Sequence, residues 1–295
     1  MSDRISTRLH GRREALKIAT ASAFALAGLG LEPARSWAIG PGSVLVTPEE
    51  TEGPYFVEEH LDRSDIRVDP TDKSIQAGHA LNMVISVSQL HNGTVTPVSG
   101  VTVDIWHCNA LGYYSDVQQQ RTVGMKYLRG SQASDKSGNA KFTTIYPGWY
   151  NGKTVHIHAK VRLNSGSKTT YEFNTQIFFD DKLTDKIYSL APYSQRRARD
   201  TRNLDDGIYG GGPGRTSAAD TKGALLTVKL ADNATHAAGK FNIVLDLSRP
   251  QNRGRRVPGG PGGFGPSPGG PGGFGPPPGG PPPGGFGPPP GASEG

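Results

Sequence analysis

The chain has 295 residues, a single cysteine and a formal net charge of +6. One cysteine excludes an intramolecular disulfide and a cysteine cluster for zinc. The charge does not indicate nucleic-acid binding, because basic residues are concentrated in the first 38 residues and at Arg253, Arg255 and Arg256, which leaves a near-neutral middle. The composition therefore predicts one ordinary domain between a basic head and a glycine- and proline-rich tail.

Residues 1–38 are predicted to be an export signal. Arg12 and Arg13 precede an apolar run rich in alanine and glycine, and small residues end at Ala38. The run is too short and too weakly apolar for a membrane span, so no stable membrane insertion is expected. The arginine pair resembles the twin-arginine signal of bacteria, which implies export of the folded protein to the periplasm or beyond. An amphipathic N-terminal helix of the mature protein is the alternative.

The middle of the chain reads as short strands separated by turn signals such as Asn92-Gly93 and Ser99-Gly100. The predicted strands are LNMVISVSQL, VTVDIW, AKFTTI, TVHIHAKV, TQIFF, ALLTVKL and FNIVLDL. No long segment has helical periodicity, so residues 45–250 are predicted to form an all-β, antiparallel β-sandwich. Long loops are expected at 113–135 and 181–222, and loops of that size on a sandwich are usually functional or disordered. The basic run from Arg196 to Arg202, with aspartates nearby, is interpreted as a solvated loop.

Residues 254–295 repeat units similar to PGGFGP and contain almost no aliphatic side chains. Such a segment cannot bury enough apolar surface to offset the entropy lost on ordering. We therefore predict a disordered glycine- and proline-rich tail.

His156 and His158 are the first candidates for metal binding. They are two residues apart on a predicted strand, so both side chains project from the same face. This spacing alone is weak evidence, because the polar face of an exposed strand often has it. Tyrosines lie on the segments leading to this strand: Tyr113, Tyr114, Tyr146 and Tyr150. A mixture of imidazole and phenolate suits a hard ion such as Fe(III) better than Cu(I).

Several stretches occur in the order typical of one known family. They are TEGPYF (51–56), DIWHCNALGYYSDVQ (104–118), LRGSQASDKSGNAKFTTIYPGWY (128–150), HIH (156–158) and TQIFF (175–179). The chain thereby resembles the intradiol ring-cleavage dioxygenases, which include catechol 1,2-dioxygenases and protocatechuate 3,4-dioxygenases. The resemblance implies an Fe(III) cofactor held by Tyr114, Tyr150, His156 and His158. It also implies cleavage of a catechol-type diol between its hydroxyl-bearing carbons, with O2, to a muconate-type dicarboxylate.

Three further residues acquire roles from the same resemblance. Tyr55, Gln176 and Lys153 are expected to contact the substrate, and Lys153, Gln176 and Tyr150 are expected to act in catalysis. Lys153 stands where the family usually has an arginine, so it keeps the charge but loses the planar fork of donors. Family members are commonly dimers or larger, so the resemblance is also compatible with a homodimer.

Alternatives remain at the level of residues and of function. Tyr113 would replace Tyr114 as a ligand if the loop register shifted by one, whereas Tyr146 is expected to pack. A secreted β-sandwich that binds aromatic or polysaccharide material without catalysis is the main functional alternative. A copper oxidase or dismutase would need further histidines near the site, and the remaining ones show no comparable spacing: His60, His79, His91, His107 and His236. Of these, His107 is expected to face away from the metal.

Overall fold

The computed structural model describes residues 45–210 and 222–248. The predicted export signal and the predicted disordered tail lie outside these residues. Within the described ranges, no helix is both long and apolar enough to cross a membrane.

Two β-sheets form the fold, and they confirm the all-β prediction. The strands are β1 (Ala80–His91), β2 (Thr94–Pro97), β3 (Thr102–Trp106), β4 (Arg129–Ala133), β5 (Asn139–Ile145), β6 (His156–Ser165), β7 (Lys168–Phe178), β8 (Leu230–Asp232) and β9 (His236–Leu245). The first sheet has the order β2-β1-β9-β8, with β5 also paired to β1, and the second has the order β4-β3-β6-β7. The pairing is antiparallel as predicted, except that β1 and β9 run parallel.

The prediction of a strand at ALLTVKL is largely wrong. A short helix, α2 (Lys222–Leu225), begins this stretch, and only Leu230 belongs to a strand. The predicted loop at 181–222 likewise contains helix α1 (Asp181–Tyr188), capped by the Asp180 side chain, which accepts from the Leu183 amide. Both helices are too short to give a clear helical period in the sequence. Within the described residues, three single-turn 3₁₀ helices lie in loops, at Gln118–Gln120, Tyr193–Gln195 and Asn203–Asp205.

Strand β6 is buried on both faces, and this positions the site. Alternate residues Ile157, Ala159 and Val161 belong to the core between the two sheets. His156 and His158 face the other way, as the period of a strand requires, and are only 2% and 1% exposed. Something other than the opposite sheet must therefore cover the outer face of β6.

The segment of residues 45–57 provides much of this cover. It is joined to the sheets by backbone hydrogen bonds from Thr47 to Val244 and from Glu50 to Asn174, each 2.9 Å long. Further along the strand, the buried Lys160 ammonium pairs with Glu52 at 3.1 Å. The same ammonium lies 3.6 Å from the centre of the Phe56 ring. The cover is thus anchored to the strand that carries the histidines.

The basic run from Arg196 to Arg202 is not simply a solvated loop. The Arg199 side chain is almost fully buried and pairs with Asp181 and Asp185 of α1. Asp206 is buried as well. Arg199 thus attaches this segment to α1, and Asp206 attaches it through Lys153 and the Thr154 amide to the residues just before β6.

Candidate metal centre

One row of side chains crosses three strands of the second sheet on its outer face. Trp106 of β3 is paired with His158 of β6, and His158 is paired with Gln176 of β7. Directly opposed residues in antiparallel strands share a face, so the three side chains lie side by side. The Trp106 and His158 rings stack at 4.9 Å with an interplanar angle of 3°. On the cover segment, Gly53 adopts φ +78°, and a Cβ there would lie 2.9 Å from His158 Cε1.

Loops bring Tyr114 and Tyr150 to the same place. The Arg129 guanidinium holds the loop that carries Tyr114. It donates from Nε to the Ser115 hydroxyl (2.9 Å) and from Nη2 to the Ser115 carbonyl (2.7 Å). Tyr150 begins the turn before β6 and forms an isolated β-bridge with Lys153, which closes that turn. The Tyr114 and Tyr150 rings meet edge to face at 5.7 Å.

The polar atoms of these four side chains converge. His156 Nε2 lies 3.1 Å from His158 Nε2 and 3.3 Å from the Tyr150 hydroxyl oxygen. The Tyr114 hydroxyl is buried and has no partner with normal hydrogen-bond geometry, although the Tyr150 phenol is its neighbour. The structure therefore brings together the four residues that the sequence and the resemblance singled out. Tyr113 makes none of the ring contacts within the described part of the chain that define the cluster.

The proton positions follow from the hydrogen bonds. His156 Nδ1 lies 2.7 Å from the Thr154 carbonyl oxygen, which can only accept, so Nδ1 carries the proton. Burial lowers the pKa of His156 to about 4, and it also lowers the pKa of His158 well below the ordinary value. His156 is thus neutral at neutral pH, with its Nε2 lone pair directed into the cluster.

The tyrosines show the opposite effect of burial. It raises the pKa of Tyr114 and of Tyr150 well above the ordinary value, and the neighbouring phenol adds to the shift at Tyr114. Both phenols therefore stay protonated in the protein alone. A bound cation of high charge would reverse this, because it favours the phenolate directly.

This donor set fits a metal ion. Two atoms that bind one ion at about 2.0–2.2 Å lie roughly 3 Å apart, which matches the separations around His156 Nε2. The buried Tyr114 hydroxyl without a partner is the kind of orphaned polar atom that a metal would satisfy. Across the described residues, no group of three or more His, Cys, Asp and Glu side chains is arranged to hold an ion. A mixed histidine and tyrosine set favours a hard, high-valent ion.

The expected substrate residues border the cluster. Tyr55 stacks on Tyr114 at 4.5 Å and meets Tyr150 edge to face at 5.9 Å. The Gln176 amide oxygen is buried without a partner, and its nitrogen makes only a long contact of 3.5 Å with the Thr51 carbonyl. Lys153 donates to Asp206 at 2.9 Å. Its ammonium is therefore held by a carboxylate and is not a free cation.

Two side interpretations from the sequence are confirmed. Tyr146 packs against Phe179 and bonds to the Thr184 hydroxyl at 2.7 Å, away from the cluster. His107 uses both ring nitrogens elsewhere, on the Cys108 carbonyl (2.8 Å) and the Thr144 hydroxyl (2.7 Å). It therefore has no free lone pair for a metal.

Sequence reasoning missed the residues that support the cluster. Each of these supporting residues contacts a site residue or its immediate neighbour, yet none was singled out as a candidate. They are Trp106, Gly53, Arg129 and Asp206. Trp106 lies beside His158 through the register of β3 against β6, which the local sequence does not report. Arg129 and Asp206 act across long separations in the chain, which no local pattern reports.

Comparison with known proteins agrees with this site. A family model described as a dioxygenase matches residues 51–198, half of the chain, so the chain belongs to that family. A catechol 1,2-dioxygenase of Acinetobacter lwoffii is 28% identical over 164 residues, which are 46% of this chain and 49% of that relative. The chain thus spans about half the length of this curated relative. An intradiol ring-cleavage dioxygenase from Tetranychus urticae is 28% identical, with a TM-score of 0.57, over 71% of this chain and 98% of its own. The chain is thus similar to an intradiol ring-cleavage dioxygenase over nearly the whole of that structure.

Proposed function

We propose that this protein cleaves a catechol-type diol between its two hydroxyl-bearing carbons, using O2 and Fe(III), to a muconate-type dicarboxylate. The ion would be held by Tyr114, Tyr150, His156 and His158. The observation that carries the proposal is the convergence of these four side chains, with His156 Nε2 at 3.1 Å from His158 Nε2 and 3.3 Å from the Tyr150 oxygen. Membership of the dioxygenase family supports the same chemistry. A binding module without catalysis is not favoured, because all four candidate ligands are present and assembled.

Held by these residues, ferric iron would supply the Lewis acidity that makes a bound diol reactive toward dioxygen. The protein must accept a proton from the incoming diol, and Tyr150 is the better placed of the two phenolates. Tyr150 is partly exposed at the start of a turn, whereas Tyr114 is fully buried beneath Tyr55. Tyr150 oxygen would take up the proton as its side chain makes room for the diol.

Two side chains are positioned to stabilise negative charge on the substrate. The Gln176 side chain is next to His158 in the sheet and is almost fully buried, so its amide can turn to the substrate without competition from water. Lys153 adds positive charge, and Asp206 fixes the position of its ammonium. Because that carboxylate also compensates the charge, we expect less stabilisation from Lys153 than from an arginine with free donors.

Tyr55 would provide the wall of the substrate site. Its ring covers Tyr114 and touches Tyr150, so a planar diol entering beside them meets an aromatic face. The identity of the diol depends on the space beside this ring.

A direct test compares adjacent tyrosines. The native protein reconstituted with Fe(III) should be red-brown through phenolate-to-iron charge transfer, and it should convert catechol into a dicarboxylate that carries both atoms of labelled dioxygen. Tyr114→Phe and Tyr150→Phe should each weaken the colour and abolish cleavage. Tyr113→Phe, the matched control, should leave both unchanged. A colourless native protein that binds only zinc, or a Tyr150→Phe variant with full colour and activity, would exclude the proposal.

A further inference from the structure

Thr154 connects His156 to a distant loop. Its carbonyl oxygen accepts a hydrogen bond of 2.7 Å from His156 Nδ1. Its other two polar groups bond to side chains that lie 49 and 52 positions further along the chain. The hydroxyl donates to Asn203 Oδ1 at 2.6 Å, and the amide donates to Asp206 Oδ2 at 2.8 Å. Thr154 is therefore held at three points.

Both loop residues are themselves fixed. Asn203 is buried and donates from Nδ2 to the Phe179 carbonyl at 2.9 Å, next to the end of β7. The Asp206 carboxylate is completely buried and accepts from Lys153 Nζ (2.9 Å) and the amides of Thr154 (2.8 Å), Ile208 (2.7 Å) and Tyr209 (3.3 Å). Every one of these groups is a donor, so this position requires an acceptor on both oxygens.

We propose that Asp206, together with Asn203, is a positioning residue for His156. It fixes the Thr154 carbonyl, which in turn keeps the proton on His156 Nδ1 and the lone pair on Nε2, directed at Tyr150 and His158. The inference rests on the proposed function in that it assigns the lone pair to a metal. Loss of the hydrogen bond from the Thr154 amide to Asp206 would allow the backbone at Thr154 to rotate. Nδ1 would then lack its acceptor, and the imidazole would populate the other tautomer, which cannot bind through Nε2.

Asp206→Asn tests the proposal, because an amide keeps the shape but offers one oxygen to four donors. In metal-free protein with isotope-labelled histidine at about pH 8, where neutral imidazole dominates, NMR should show native His156 as the Nδ1–H tautomer alone. Asp206→Asn should show a mixture of tautomers. Its affinity for Fe(III), measured by competition with nitrilotriacetate, should fall roughly 10–100-fold.

Two controls separate positioning from general damage. Asp205→Asn makes the same change at an exposed neighbour that bonds only to the Arg202 amide within the described chain, and it should match the native protein. Lys153→Met removes the ammonium but keeps the hydrogen bond from the Thr154 amide to Asp206, so His156 should retain its Nδ1–H tautomer. If Lys153→Met and Asp206→Asn give the same mixture, the ion pair is responsible and the proposal is wrong.

A further variant covers the case in which Asp206→Asn does not fold. Thr154→Val removes only the hydroxyl bond to Asn203, so it should shift the tautomer balance to a smaller extent. Native tautomer and native Fe(III) affinity in the folded variants would overturn the proposal. If instead the tautomer shifts as expected but the native protein does not cleave catechol, the proposed reaction fails and the positioning role stands.

Discussion

Gly53→Ala gives a sharp test of how the cover segment shapes the site. The residue has φ +78°, and the new Cβ would lie 2.9 Å from His158 Cε1, where ordinary carbon contacts are roughly 3.5–4.0 Å. The His158 ring stacks on Trp106 at 4.9 Å and has little freedom to yield. Either the ring or the cover segment must therefore shift by about half an ångström or more.

Gly93 in the turn between β1 and β2 provides the matched control. Its φ is +77°, and a Cβ there would meet nothing within 4 Å. Gly93→Ala should thus cost only the backbone strain, about 1–2 kcal/mol of unfolding free energy. Gly53→Ala should cost that amount plus about 1–3 kcal/mol for overpacking.

Urea unfolding of the metal-free proteins measures the difference in stability between the two variants. Iron content and charge-transfer intensity measure the difference in metal binding. We expect Gly53→Ala to lose colour while Gly93→Ala keeps it. Equal stability and equal iron content in the two variants would refute the contact between Gly53 and His158 as a determinant of the site.

Two further predictions concern charge and export. Burial raises the pKa of Asp104 to about 6, although Arg162 opposes the shift, so ionisation of this group destabilises the fold as the pH rises from about 4 to about 6. Asp104→Asn cannot ionise, and its unfolding free energy relative to the native protein should rise by about 1–3 kcal/mol over that range; a difference independent of pH would contradict this. Replacing Arg12 and Arg13 by lysine should retain the protein in the cytoplasm of a bacterial host, and unchanged export on cell fractionation would argue against the twin-arginine route.

Local patterns were sufficient for much of the fold and for the histidine pair of the site. The two-residue period of β6 placed His156 and His158 on one face, and the resemblance supplied Tyr114 and Tyr150. The predictions of strands and of the histidine pair depend on spacing along a few residues, which is visible directly in a sequence. The parallel pairing of β1 with β9 does not have such a signature, because register between distant strands is set by packing.

The supporting residues could not be predicted for the same reason. Arg129 holds Ser115 across 14 positions, and Asp206 holds Thr154 across 52. A run of arginines and aspartates on a loop looks solvated until its partners are known. In the structure Arg199 is paired with Asp181 of α1, and Asp206 is paired with Lys153 just before β6.

The cover segment has a consequence for access to the site. Residues 51–56 contain neither strand nor helix, and their attachment consists largely of side chains: the Glu52–Lys160 pair and the rings of Tyr55 and Phe56. Opening such a segment breaks few backbone hydrogen bonds, so it costs far less free energy than separating the strands of either sheet. The histidines can therefore meet solvent through brief local opening while both sheets stay intact. Amide exchange should accordingly be fast in the cover and slow in β6, so the entry of a metal ion or a substrate is decoupled from global unfolding.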